Sequence, residues 1–379
     1  MIKLADLHQQ HAELKQELDD AIQSVISAGA FINGPEVSIF EQAFASYCSS
    51  KYSLACGNGT DALEIAIAAL QLPPGAEIIV PANSFVASAE AVVNNGHIPV
   101  FIDINEEHYG LDCEQLESLL SDKTAAVIAV HLFGIPADMQ RIKQFCQQHQ
   151  LYLIEDCAQA HGARWQGKTI GSWGDVSTFS FFPGKNLGAM GDAGAICSDN
   201  EVLIRRCRMI ANHGRLDKFG HKICGRNSRM DSLQAAVLCV KLKYLPAWNE
   251  LRREKATILH ASLQDNPHLQ LFKLSEWAEP VYHQYVVRVE ERDWVKQSLY
   301  QAGIETGIHY PKTINDYEPF QQYRGVTPKA KHVSGKILSL PCHQYLTQSD
   351  LDKIIYHLGV ACEQAATLQT HQTEREVKR

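Results

Sequence analysis

Leu7, Ile22, Val25 and Ile26 stand among charged neighbours at helical spacing across residues 5–30, and the run stops at Ser27-Ala28-Gly29. Phe31-Ile-Asn-Gly34-Pro35 reads as a turn. A helix is predicted to start near Pro35, with Val37, Phe40 and Phe44 on one face. Tyr52–Cys56 then reads as a strand, followed by Gly57-Asn-Gly59-Thr60-Asp61 and a helix carrying Leu63, Ile67 and Leu70. From there strand and helix patterns alternate. The predicted strands are Ile78–Val80, Ile98–Ile104, Ala125–Val130, Tyr152–Asp156, Val176–Ser180 and Gly194–Cys197, with helical patterns such as Met139, Ile142 and Cys146 between them. Such alternation predicts an α/β fold around a mostly parallel sheet covered on both faces.

Beyond about residue 240 the texture changes. One long helix is expected from Leu233 onward, kinked at Pro246. A strand-like run Val281–Val289, the segment Val295–Ala302 and Gly307-Ile-His-Tyr-Pro311 come next. Thr347-Gln-Ser-Asp350 has the spacing of a capping box, and Leu351, Ile354, Ile355 and Leu358 behind it announce a last helix. The tail after about Ala366 is polar and expected to fray. We read a large domain over residues 1–245 and a smaller C-terminal α+β domain over 246–379, which suits the length.

A net charge of -8 without a basic cluster argues against nucleic acid or an anionic membrane as partner. Met1-Ile-Lys-Leu-Ala-Asp6 carries charge at once, so no apolar signal segment is expected. No window reaches an uninterrupted membrane-spanning length. The eleven cysteines are odd in number and scattered, which reads as reduced thiols in the cytoplasm. No histidine or cysteine spacing suggests a metal site.

Candidate chemistry concentrates in Asp175–Gly194. A half-apolar strand ends in Pro183-Gly184, and Lys185 follows immediately. Desolvation there makes a lysine nucleophilic and able to form a Schiff base, although a surface lysine in a Gly-rich turn has the same local sequence. Upstream, Gly57-x-Gly59-x-x-Ala62 lies between a strand and a helix. A dinucleotide fingerprint would want an acid at the end of the next strand, and Val80-Pro81-Ala82-Asn83 has none. What remains is an anion site, because Gly59 and Thr60 at a helix start offer free amides and a hydroxyl. Asp156 closes another strand, where it is either a helix cap or the partner of a cationic ring nitrogen. An anion turn, a strand-end acid and a lysine on one sheet edge are what a pyridoxal 5'-phosphate enzyme requires.

Seven blocks, in order, carry a resemblance over nearly the whole chain: Gly57–Leu63, Pro81–Phe85, His131–Gly134, Glu155–Gly162, Ser180–Gly188, Asn227–Ala236 and Gly307–Pro311. In these the chain resembles the DegT/DnrJ/EryC1/StrS family of sugar aminotransferases. The resemblance implies the fold-type I (aspartate aminotransferase-like) pyridoxal phosphate architecture, a homodimer with sites at the subunit interface, and amino transfer from L-glutamate, released as 2-oxoglutarate, to a nucleotide-linked keto sugar. By motif it implies Lys185 as the Schiff-base lysine and Asp156 as partner of the ring nitrogen. Gln159 matches the residue beside the ring oxygen, and Phe85 the aromatic stacked on the ring. Gly59, Thr60 and Ser180 match phosphate ligands, and Asn227 the residue reaching the phosphate from the other subunit. His161, His309 and Tyr310 are matched to the substrate side, with a histidine satisfied within a loop as the competing reading of His309.

Two departures stand out. Gly191-Asp-Ala193-Gly-Ala195 replaces one glycine of the usual turn, and Lys312-Thr-Ile-Asn-Asp-Tyr317 lacks the second histidine that many members carry. Asp316 is therefore expected to face solvent or receive a sugar hydroxyl. The form of the lysine loop is similar to that of members acting on 3-keto hexoses. A 4-keto nucleotide sugar, an unlinked keto sugar or cyclitol, and a non-catalytic protein on the same fold are the competing readings. The dehydratase branch has histidine where this chain has Lys185.

Overall fold

A single large sheet positions everything else in the computed structural model, which describes residues 1–377, with side chains through residue 368. In chain order the strands are β1 (Tyr52–Cys56), β2 (Glu77–Pro81), β3 (Ile98–Ile102), β4 (Thr124–Val130), β5 (Tyr152–Asp156), β6 (Arg164–Trp165), β7 (Lys168–Thr169), β8 (Val176–Ser180), β9 (Gly194–Ser198), β10 (Leu269–Leu271), β11 (Ala278–Glu279), β12 (Tyr285–Val289) and β13 (Ile337–Leu340). The large sheet has the order β1-β9-β8-β5-β4-β2-β3. Every pairing in it is parallel except the two that β9 makes. The parallel strands therefore all end at one edge. The predicted strands are present, with ends moved by no more than a residue or two. β3 stops at Ile102 because Asp103 turns to accept the Lys329 and Ala330 amides at 2.9 and 2.7 Å.

Side chains alternate across this sheet as period two demands. Leu54, Cys56, Ile78, Val80 and Ile128 pack on one face, against Leu63 and Ile67 of helix Gly59–Leu70 and Leu203 of helix Glu201–Ala211. Ala55, Ile79, Val127 and Ala129 pack on the other, against Phe40 and Phe44 of helix Pro35–Tyr47 and Ile142 of helix Met139–Gln148. Burial on both faces makes these strands apolar runs, and each buried Val, Leu, Ile or Phe among them stabilises the fold by about 1.5–3 kcal/mol.

The N-terminal helix is two helices, Leu7–Glu13 and Lys15–Ala28. The break at Leu14 lets Leu14 and Leu18 both reach Val237, Val240 and Trp248. Gly29, at φ 65, closes the second helix in the left-handed conformation that glycine adopts without strain. Pro246 starts a helix instead of kinking one: Ser232–Leu242 ends, and Leu245–Leu263 begins with the proline in its first turn. A proline is cheap there because the first-turn amide has no helical acceptor anyway.

The C-terminal residues form the antiparallel sheet β10-β12-β13. Leu259, Val287, Val295, Leu340, Leu351 and Leu358 build its own apolar cluster. Val295–Ala302, undecided in sequence, is mostly helix Arg292–Gln301. The run Val281–Val289 is a strand only from Tyr285. Val281 and Gln284 instead donate their amides to Gly134 and Phe133, which carries residues 281–284 to the large sheet. The capping box is present: Thr347 N–H donates to Asp350 at 2.9 Å, and Asp350 N–H to Thr347 Oγ1 at 3.2 Å. The helix behind it, Gln348–Val377, includes the segment after Ala366 that reads as a polar tail; residues 378 and 379 lie outside the described residues.

Candidate active site

At the edge where the parallel strands end, a cavity of about 570 Å³ opens. Of the residues that the resemblance assigns to cofactor or substrate, all but His161 and Asn227 line it. One wall is the start of helix Gly59–Leu70. Its N-cap Asn58 accepts the Asp61 amide at 2.8 Å, and the Ala62 amide goes to the Asn58 carbonyl. The Gly59 and Thr60 amides have no partner among the described residues, so a helix N-terminus with two unsatisfied donors faces the cavity. A Cβ on Gly59 would come within 2.6 Å of the Ser180 Cβ, so only glycine lets the end of β8 approach this turn.

The loop after β8 is held from several sides. Lys185 N–H donates to Phe182 O and Ala189 N–H to Phe181 O, each at 2.8 Å. Gly188 lies so close to Pro183 that a Cβ would meet its carbonyl oxygen at 2.2 Å. The buried Lys241 Nζ donates to Gly188 O at 2.8 Å and contacts His11 Nε2 at 3.1 Å. This rigid turn leaves the half-buried Lys185 amine in the cavity wall. Burial lowers its pKa to about 8, with Asp156 pulling in the opposite direction.

Asp156 closes β5 and is buried, which raises its carboxyl above the usual range. The Ala158 amide at 3.1 Å, the Ser88 hydroxyl at 3.0 Å, and the charge of Lys185 oppose that rise. Gln159 accepts the Phe133 amide at 2.6 Å and donates to the Tyr310 hydroxyl at 3.3 Å. Phe85 is 51 % exposed inside this recess, tilted 42° to Tyr310 with ring centres 5.5 Å apart, so it keeps an open apolar face. His309 Nδ1 pairs with Ser339 Oγ at 2.8 Å; burial and Lys185 hold its imidazole down at about 4, hence neutral near pH 7.

Two sequence-chosen residues lie elsewhere. His161 is fully buried, with its ring 5.7 Å from Phe179 and 5.5 Å from Phe181, and burial pushes it down to about 3. It belongs to the aromatic core around Phe44 and contributes no surface to the cavity, which corrects its assignment to the substrate side. Asn227 is exposed, bridged to Asn212, and not part of this chain's own cavity lining. Asp316 is not part of the lining either. Burial alone would raise its carboxyl, but Lys331 at 2.9 Å and the Thr313 hydroxyl at 3.0 Å outweigh that and keep it low. Ala193 is buried and accepts the Phe181 amide at 2.8 Å, so the first departure from the usual turn is accommodated.

Lining residues that sequence reasoning missed include His283, Leu4 and Ala5. His283 contacts Asn186 Oδ1 through Nδ1 at 3.3 Å. Its only signal was a polar interruption, His283-Gln284, inside an apolar run. Leu4 and Ala5 arrive from the N-terminus, anchored by the Leu4 amide on Glu305 at 3.0 Å, and nothing local announced them.

The buried trio His131, Glu155 and Cys157 is close enough to suggest a metal site. Its carboxylate is already taken: Glu155 accepts amides of Gly171, Trp173 and Gly174 at 2.7–2.8 Å. His131 Nδ1 accepts the Ala137 amide, so Nε2 carries the proton and donates to Glu155 at 3.3 Å.

The cavity fits pyridoxal 5'-phosphate. A desolvated amine and a buried acid share one recess with an open aromatic face, and a glycine-gated helix start supplies unsatisfied amides for a phosphate. Known proteins agree. The chain matches the DegT/DnrJ/EryC1/StrS aminotransferase family over residues 12–359. It is 38% identical over 357 residues to the erythromycin biosynthesis sensory transduction protein EryC1 of Saccharopolyspora erythraea, covering 93% of this chain and 98% of that one. It is 37% identical over 357 residues to dTDP-3-amino-3,4,6-trideoxy-alpha-D-glucose transaminase of Streptomyces venezuelae, covering 93% and 94%. The crystal structure of S. venezuelae DesV in complex with a ketimine intermediate superposes with a TM-score of 0.93 at 36% identity, covering 96% of this chain and 98% of that one. The chain belongs to the DegT/DnrJ/EryC1/StrS aminotransferase family.

Proposed function

We propose that this protein is a pyridoxal 5'-phosphate-dependent aminotransferase that moves the amino group of L-glutamate onto a nucleotide-linked keto sugar, with a 3-keto hexose as acceptor. One observation carries the reading: Lys185, Asp156 and the Gly59–Thr60 helix start line a single cavity. The 3-amino sugar in the name of the S. venezuelae relative supports the regiochemistry. The bound cofactor supplies an electron sink for the carbanion formed at the amino-bearing carbon.

The residues do the rest. The Gly59 and Thr60 amides and the Ser180 hydroxyl would hold the phosphate, and Phe85 would pack on the ring. Asp156 would keep a proton on the ring nitrogen, and Gln159 would receive the ring oxygen. Lys185, with its pKa at about 8, takes the proton from the donor's carbon as general base and returns it as general acid; the second half-reaction reverses the order. Neutral His309 and Tyr310 face the sugar, and the nucleotide lies along residues 305–320. In this reading the large domain holds the cofactor, and the C-terminal domain contributes His283, His309 and Tyr310 to the cavity wall. A second copy of the chain completes the site: exposed Asn227 reaches the partner's phosphate in a homodimer. The reaction is cytoplasmic, and among the described residues no helix is long and apolar enough to cross a membrane.

The test is incubation with L-glutamate and a panel of dTDP- and UDP-linked 3-keto and 4-keto sugars, following 2-oxoglutarate. Release with the 3-keto nucleotide sugars is expected. Release with only unlinked keto sugars or cyclitols would overturn the nucleotide part, and release with only 4-keto acceptors the regiochemistry.

A further inference from the structure

Behind Asp156 lies a short buried chain of hydroxyls to which the sequence reading gave no role. Ser88 is in the first turn of helix Ala87–Asn94 and is 0% exposed; Ser84, just before that helix, is 3% exposed and lines the cavity. The non-helical turn before the helix brings Ser84 against Ser88. Ser88 Oγ lies 3.0 Å from Asp156 Oδ2, and the two serine oxygens are 2.8 Å apart.

Hydrogen-bond directions in this chain follow from donor counting. An ionised carboxylate only accepts, so the single Ser88 proton goes to Asp156. Ser84 must then donate to Ser88. Both hydroxyls point their protons toward the carboxylate, and the Ala158 amide supplies the other oxygen at 3.1 Å. Burial raises the Asp156 carboxyl and these donors oppose that rise, and a carboxyl that is protonated does not hold a proton on a neighbouring ring nitrogen. Polarised chains of this kind strengthen each link.

We infer that Ser88, backed by Ser84, is a positioning residue that keeps the Asp156 carboxylate oriented into the cavity and ready to pair with a protonated ring nitrogen. The inference rests on the role given to Asp156 in the proposed function. The other groups facing Asp156 are Lys185 from the loop after β8, His131 after β4, Tyr310 from the C-terminal part, and Cys157 on its own strand end. Substitution at Ser88 leaves all of them in place.

The experiment loads wild-type protein, Ser88→Ala and Ser84→Ala with pyridoxal 5'-phosphate and titrates the visible absorption of the bound cofactor with pH. Without Ser88 the carboxylate becomes more basic and draws the proton off the ring nitrogen. Loss of that positive charge makes the nitrogen contributed by Lys185 easier to protonate. The midpoint is expected to rise by about one unit in Ser88→Ala and by less, in the same direction, in Ser84→Ala. A merely structural role would lower thermal stability and leave the midpoint where it was. Unchanged midpoints in both variants, with wild type showing a normal band, overturn the inference and leave the proposed function standing. If wild type binds no cofactor, the proposed function fails instead. Should Ser88→Ala not fold, the direction of the Ser84→Ala shift decides.

Discussion

Burial draws the Lys185 amine down to about 8 from its ordinary 10.5, and that fixes the sign of two pH dependences. The neutral amine is the nucleophile, so the rate at which cofactor-free protein captures pyridoxal phosphate should climb as pH rises through about 8, measured by stopped-flow absorbance. A lysine whose pKa is lower folded than unfolded binds fewer protons in the native state. Stability of the cofactor-free protein should therefore rise between about 8 and 10.5, and Lys241, also lowered to about 8 by burial, adds to the slope. Denaturant titrations at pH 8 and pH 10 check this; Lys185→Met should flatten part of the rise. Asp156→Asn removes the charge that holds the ring proton, and both half-reactions should slow on the order of a hundredfold or more while the fold persists. Near-normal turnover would make Asp156 only the acceptor of its local hydrogen bonds.

Glycine at position 59 is an element-scale requirement, since it lets a helix start and a strand end meet. Gly59→Ala drives a Cβ to 2.6 Å from Ser180 and should weaken cofactor binding about tenfold, about 1.4 kcal/mol, by equilibrium titration. At the last helix, Thr347→Ala removes one half of the capping box and should cost about 1 kcal/mol in denaturant unfolding. Elements of this kind were legible because their signals are local: period two in the strands, a proline or a capping pair at a helix start. Asp156, Gly59 and Thr60 were legible for the same reason, as each sits at a strand or helix end, and Lys185 because it follows the Pro183-Gly184 turn after β8. His161 was misplaced because two residues past Gln159 the chain has already turned into the aromatic core, and sequence spacing does not record that turn. His283, Leu4 and Ala5 were invisible because tertiary packing alone brings residues 4–5 and 281–284 to the sheet edge.

On the scale of the whole molecule, the cavity of one chain contains the amine, the acid and the helix start, while Asn227 is exposed and not part of its lining. If Asn227 serves a neighbouring copy, Lys185→Ala and Asn227→Ala subunits, each inactive alone, should regain activity on mixing, because one hybrid site then contains both native residues. Subunit exchange is followed in parallel by a tagged copy. Exchange without recovered activity would place Asn227 in its own subunit's machinery. The Thr313–Tyr317 run also takes its meaning from the assembled fold: the Ile314 amide docks on Ala82 at the end of β2, and Lys331 occupies Asp316. Asp316→Ala should therefore leave nucleoside diphosphate binding unchanged by calorimetry.

Reduction of the cofactor-loaded protein with borohydride, followed by peptide mass spectrometry, tests the central claim most directly. The account predicts a pyridoxyl label on the peptide containing Lys185, and none in Lys185→Ala protein that still binds the cofactor through Asp156 and the Gly59–Thr60 turn. A label on any other lysine, or a protein that takes up no cofactor, would contradict it.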